Sequence, residues 1–90
     1  VDWGFGSSTN LRLSAAFSEV RNAARHIPPE QFRNMTREQL MVQLGVDAAI
    51  TNNFKKSNTP ATKFFRTATG RFIDNIMSNA NKGGKKPRTE

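Results

Sequence analysis

Ninety residues, 14 of them Lys or Arg against 7 Asp or Glu, make one small domain with a net charge of +7. The chain has no Cys, which excludes a disulfide framework, thiol chemistry and a Cys-based zinc site. No apolar run approaches the roughly 18 residues of a membrane span, and a strongly basic balance points to polyanion partners rather than to any particular fold.

Residues 1–9, with Trp3 and Phe5 set among glycines, read as a flexible N-terminal arm. Docking of its two aromatics into a groove of the same or a neighbouring domain competes with stacking on single-stranded bases. From Asn10 the apolar residues Leu13, Phe17, Val20, Ala24 and Ile27 recur at helical spacing, which predicts a helix over 10–27. Asn10 is its expected cap, because an Asn side chain can accept from the free N–H groups of a first turn. Pro28 and Pro29 end it, and Arg12, Arg21 and Arg25 lie off the apolar stripe.

Thr36 and Gln39 fit a capping box, the cap and its reciprocal partner three residues on. The helix they open carries Leu40, Met41 and Leu44, and Gly45 stands where a left-handed C-terminal residue belongs. Asp47 is the expected cap of a second short helix with Val46, Ile50 and Phe54 on its apolar side. Thr59-Pro60 then starts a long helix, since Pro suits the first helical position. Ala61, Phe65, Ala68, Phe72 and Ile76 mark one face of it, widened by Phe64, Ile73 and Met77. Gly70 in its middle predicts a weak spot of about 1 kcal/mol relative to Ala. Residues 81–90 read as a basic disordered tail. No stretch alternates as a half-buried strand would, so the expected fold is all-α. It is a small bundle of about four helices over 10–80 with a sharp corner near Gly45.

Between Asp47 and Asp74 no acidic residue occurs, while Lys55, Lys56, Lys63, Arg66 and Arg71 do; Lys82, Lys85, Lys86 and Arg88 follow in the tail. Localised positive charge attracts phosphate by Coulomb forces and counterion release. The expected partner is therefore nucleic acid, and these cations are the candidate phosphate contacts.

Residues 37–56, with Leu40 and Leu44, then Gly45-Val46, then Ile50 and Phe54, resemble the helix-turn-helix of phage and plasmid DNA-binding regulators. The resemblance implies that the second helix enters the major groove. Asn52 and Asn53 would be its base readers, as Asn pairs with the adenine edge, with Thr51 beside them. Lys55, Lys56 and Arg37 would hold phosphates. A second reading stands beside it: Gly-Val-Asp as a plain helix stop followed by a cap, in an ordinary helical corner.

The resemblance favours DNA over RNA, and makes the chain a sequence-reading regulator. The alternative is a nucleocapsid or capsid-internal viral-type protein that binds genome without regard to sequence. The Phe-rich 60–80 helix offers a seam for homo-oligomers as well as a core. Location follows the reading, cytoplasmic for a regulator and within a virion for the alternative. Catalysis needs positioned pairs, whereas His26 is the only histidine and the acids are scattered. No enzymatic activity, cofactor or metal is expected.

Overall fold

The computed structural model describes residues 2–83, and side chains as far as Ala80. Five helices follow one another: α1 Ser7–Arg25, α2 Pro29–Phe32, α3 Arg37–Gln43, α4 Val46–Asn53 and α5 Pro60–Gly83. There is no strand among the described residues, and the chain is all-α as its periodicity predicts.

Helix α1 starts three residues before the expected cap. Gly6, at φ 93°, turns the chain into Ser7, a backbone angle that an L side chain seldom takes. Asn10 lies inside the helix instead. Its Oδ1 accepts from the Trp3 N–H at 3.3 Å and its Nδ2 donates to Asp2 Oδ1 at 3.2 Å, so it fastens the preceding segment to α1. Trp3 and Phe5 are half-buried. The Trp3 ring lies 5.5 Å from Phe17 and Phe5 lies 5.7 Å from Phe64, both tilted. The two aromatics thus dock on this domain, one of the two uses expected of them, and are engaged by its own rings.

The Thr36 capping box forms as predicted: Gln39 N donates to Thr36 Oγ1 at 3.1 Å and Thr36 N to Gln39 Oε1 at 2.9 Å. Gly45 adopts the left-handed conformation (φ 70°, ψ 39°) and is itself the cap residue of α4. Asp47 therefore falls in the first turn of α4, without a capping hydrogen bond, where its charge suits the helix dipole. At Thr59-Pro60 the start is as expected. Thr62 N donates to Thr59 Oγ1 at 3.2 Å, and Thr59 N donates to Thr62 Oγ1 at 2.9 Å.

One core joins the elements. α1 and α3 each pack on both α4 and α5, and α2 packs on α5. Leu13, Ala16, Val20, Leu40, Ala49, Ile50, Phe65 and Ile73 are buried together. The 24 residues of α5 span about 36 Å at 1.5 Å per residue, against a longest extent of 42 Å. Gly70 is buried beneath the Arg37 guanidinium, which a Cβ at position 70 would strike. The expected weak spot thus lies where the Arg37 side chain of α3 crosses α5.

Candidate nucleic-acid interface

The corner that resembles a DNA-reading motif consists of α3, the turn at Leu44-Gly45 and α4. Leu40, Leu44, Val46 and Ile50 are all buried within it, so apolar side chains lock the two helices at the left-handed glycine. The outward side of α4 carries Asp47, Ala48, Thr51 and Asn52, with no cation among them.

The side chains expected to read bases are turned to another task. Asn53 is half-buried, and its Nδ2 donates to Glu19 Oε2 and to the Ala49 carbonyl, both at 2.8 Å. Asn52 Nδ2 donates to Glu19 Oε1 at 3.3 Å. One carboxylate on α1 thus takes a donor from each amide, and the pair ties α4 to α1. Arg37 is engaged too. Its Nε donates to Asp74 Oδ1 at 3.0 Å, the one ion pair among the described residues, so it braces α3 on α5.

Lys55 and Lys56 lie just beyond α4, in the connector that leads to α5, and both are exposed. Arg66, half-buried on the second turn of α5, donates through Nη1 to the Ser57 carbonyl at 2.8 Å. The Thr62 hydroxyl also donates to a connector carbonyl, 3.0 Å from both Ser57 O and Thr59 O. These bonds hold Ser57 and Thr59 of the connector against the start of α5, where Lys63 is exposed. The N-terminus of a long helix adds its partial positive charge there. Arg71 is exposed two turns further along α5.

Of the tail cations, Lys85, Lys86 and Arg88 lie outside the described residues, and Lys82 is described only as backbone of the last turn of α5. The structure therefore leaves Lys55, Lys56 and Lys63 exposed, and sets Arg37, Asn52 and Asn53 into internal contacts. Among the described residues no three His, Cys, Asp or Glu side chains come together as a metal site would need, and no helix is long and apolar enough to cross a membrane.

Sequence reasoning missed Glu19 as the partner of the two asparagines. The available signal was its place on the flank of α1, beside the apolar stripe. It also missed the role of Arg66, whose connector partner is a main-chain oxygen with no residue signature. No family model, curated protein or solved structure matches the chain.

Proposed function

We propose that this protein binds nucleic acid through its phosphates, using the basic end of the bundle, without requiring base readout. The observation that carries this reading is the exposure of Lys55, Lys56 and Lys63 in a stretch with no acid from 48 to 73. Such a surface meets a polyanion without first breaking internal ion pairs. Arg71 and the tail residues Lys82, Lys85, Lys86 and Arg88 extend the same sign of charge. The resemblance of 37–56 to regulators is what favours duplex DNA over RNA. Sequence-independent phosphate binding suits a genome-packaging role better than a regulatory one. Pairing through the 60–80 helix has little support, since Ala61, Phe65 and Ile73 of its apolar stripe are in the core.

The test is fluorescence anisotropy on random-sequence duplex DNA and on single-stranded RNA across a salt series. Binding to duplex should weaken linearly on a log–log plot. Replacing Lys55 and Lys56 by Gln should flatten that slope by about 1.8, at ~0.9 for each phosphate no longer neutralised. Failure to bind either polymer near physiological salt would sink the reading.

A sequence-reading role keeps one supporting observation, the exposure of Thr51 and Asn52 on α4. It requires Asn52 and Asn53 to leave Glu19. Its signature is a preferred operator at which Asn52→Ala costs about 1–3 kcal/mol at a single base pair.

A further inference from the structure

Two large apolar side chains stand out in solvent, Val42 on α3 at 81% exposure and Leu11 on α1 at 71%. Their surroundings differ in sign. Val42 stands between two open concavities of about 350 and 590 Å³, and both include Val42 and Glu38 in their walls. The first is lined by Met41, Val46, Ala48 and Asp47; the second by Met35 among the amides Gln31, Asn34, Gln39 and Gln43. No Lys or Arg lines either one. The cations nearest in sequence are directed elsewhere, Arg37 to Asp74 and Arg33 Nε to the Ala80 carbonyl at 3.1 Å. On a chain of net charge +7, the side toward Val46 is an apolar groove whose charged residues, Glu38 and Asp47, are both acidic.

Helix α1 offers the complement. Leu11 and Ala15, one turn apart, are exposed on its outer side beside exposed Arg12, with Arg25 further along. The one acid of α1, Glu19, already receives hydrogen bonds from Asn52 and Asn53. The ridge is therefore apolar at Leu11 and Ala15, with the positive charge of Arg12 beside them and the carboxylate of Glu19 two turns on.

We propose that the protein self-associates head to tail, with the Leu11–Arg12 ridge of one copy seated in the Val42 groove of the next. A two-fold contact of groove with groove is disfavoured, because it would set Glu38 and Asp47 of each copy against the same acids of the other. Ridge into groove pairs opposite charges and buries both exposed apolar side chains. Such a contact uses different surfaces on the two copies and leaves a free ridge and a free groove at the ends, so it extends into open chains, or into rings where the rotation closes. It is small enough to be weak and concentration-dependent.

Sedimentation velocity on the full chain, freed of nucleic acid by nuclease treatment, tests this from micromolar to millimolar concentration. The weight-average mass should climb past that of a dimer. Leu11→Glu and Val42→Glu each replace a solvent-facing residue, so circular dichroism should show both folded, and each alone should stay monomeric. Their equimolar mixture supplies one intact groove and one intact ridge, and should form a one-to-one complex that grows no further. Arg12→Glu should weaken association by about tenfold, the equivalent of 1.4 kcal/mol. A wild type that stays monomeric at millimolar concentration overturns the proposal. So do single variants that still associate, or a mixture that remains monomeric.

Discussion

The corner made by α3 and α4 and the basic end made by residues 54–63 adjoin along the chain, yet their surfaces carry opposite signs. At the corner the polar side chains are committed: Asn52 and Asn53 to Glu19, Arg37 to Asp74. Among the exposed side chains there without such a partner are Val42, Glu38, Asp47 and Thr51. At the basic end Lys55, Lys56 and Lys63 face solvent, and the side chain beside them that is tied down, Arg66, binds a main-chain oxygen. Within the stretch that resembles a DNA reader, the expected base readers are thus engaged by another helix, while its closing cations Lys55 and Lys56 are exposed. Adjacency in sequence sets which residues share a helix. Partners arriving from other helices set which of their charges are available.

The strongest way to break this comparison is to remove what the two regions share. Phe65 is 0% exposed, with its ring 4.9 Å from Phe17 and 6.5 Å from Phe54. It thus links α5 to α1 and to the end of α4, under the basic connector. Phe65→Ala should cost about 3–5 kcal/mol, a large share of the stability of a small domain, read as a fall in the urea midpoint. A cost below about 1 kcal/mol, far under the usual range for such a truncation, would mean that the basic end folds independently of the corner.

A substitution at Gly45 separates the regions. Its φ of 70° lies in the left-handed region, and an added Cβ would meet only Ala48 Cβ, at an ordinary 3.8 Å. Gly45→Ala therefore carries a backbone cost of about 1–2 kcal/mol and little steric cost. Urea denaturation should register that loss while the salt slope for duplex DNA stays at its wild-type value. A changed slope in the folded variant would return the corner to the interface.

Much of this architecture is legible in the sequence, and the parts that are not have a common cause. The Thr36–Gln39 box, the left-handed Gly45 and the Thr59-Pro60 start are local patterns, and each forms where expected. Helix α2 escapes because four residues, Pro29–Phe32, are too few to show a period, and its two prolines read only as a stop. Asn10 reads as a cap because the Gly6 turn, which starts α1 earlier, has no strong signature of its own. Arg37, Asn52 and Asn53 suit phosphates and bases by pattern, but their partners Asp74 and Glu19 sit on different helices. No pattern within 37–56 could reveal those partners.

Gly70 sharpens the point through a smaller effect whose sign depends on its partner. The Arg37–Asp74 pair is half-exposed on both sides, at 49% and 60%, so Arg37→Ala should cost no more than about 1 kcal/mol. In the wild type, Gly70→Ala pushes the guanidinium away from Asp74 and gains little or destabilises. In the Arg37→Ala background the new methyl meets nothing else nearby, and Ala should then stabilise α5 by about 0.5–1 kcal/mol over Gly. A double-mutant cycle by urea denaturation reads that reversal directly. Equal effects of Gly70→Ala in both backgrounds would show that the glycine is not there to admit Arg37.

The smallest expected effect concerns the N-terminal segment, which lies against the aromatic side of the same core. Asp2 accepts from Gly4 N–H at 2.7 Å and from Asn10 Nδ2 at 3.2 Å. These two bonds, the first the larger influence, hold its carboxyl below the ordinary 3.8. A carboxyl depressed by folding stabilises the folded form above its unfolded pKa, and that contribution disappears as the pH falls through the folded value. Docking of the segment should therefore be constant through the neutral range and loosen only in acid, below about pH 4. Trp3 is the single tryptophan of the chain, so its emission reports the step as a shift to longer wavelength. Asp2→Asn should leave that emission nearly unchanged with acid, since the titrating group is gone. If both proteins shift alike, the segment is held by Trp3 and Phe5 packing on Phe17 and Phe64, and the carboxylate merely follows.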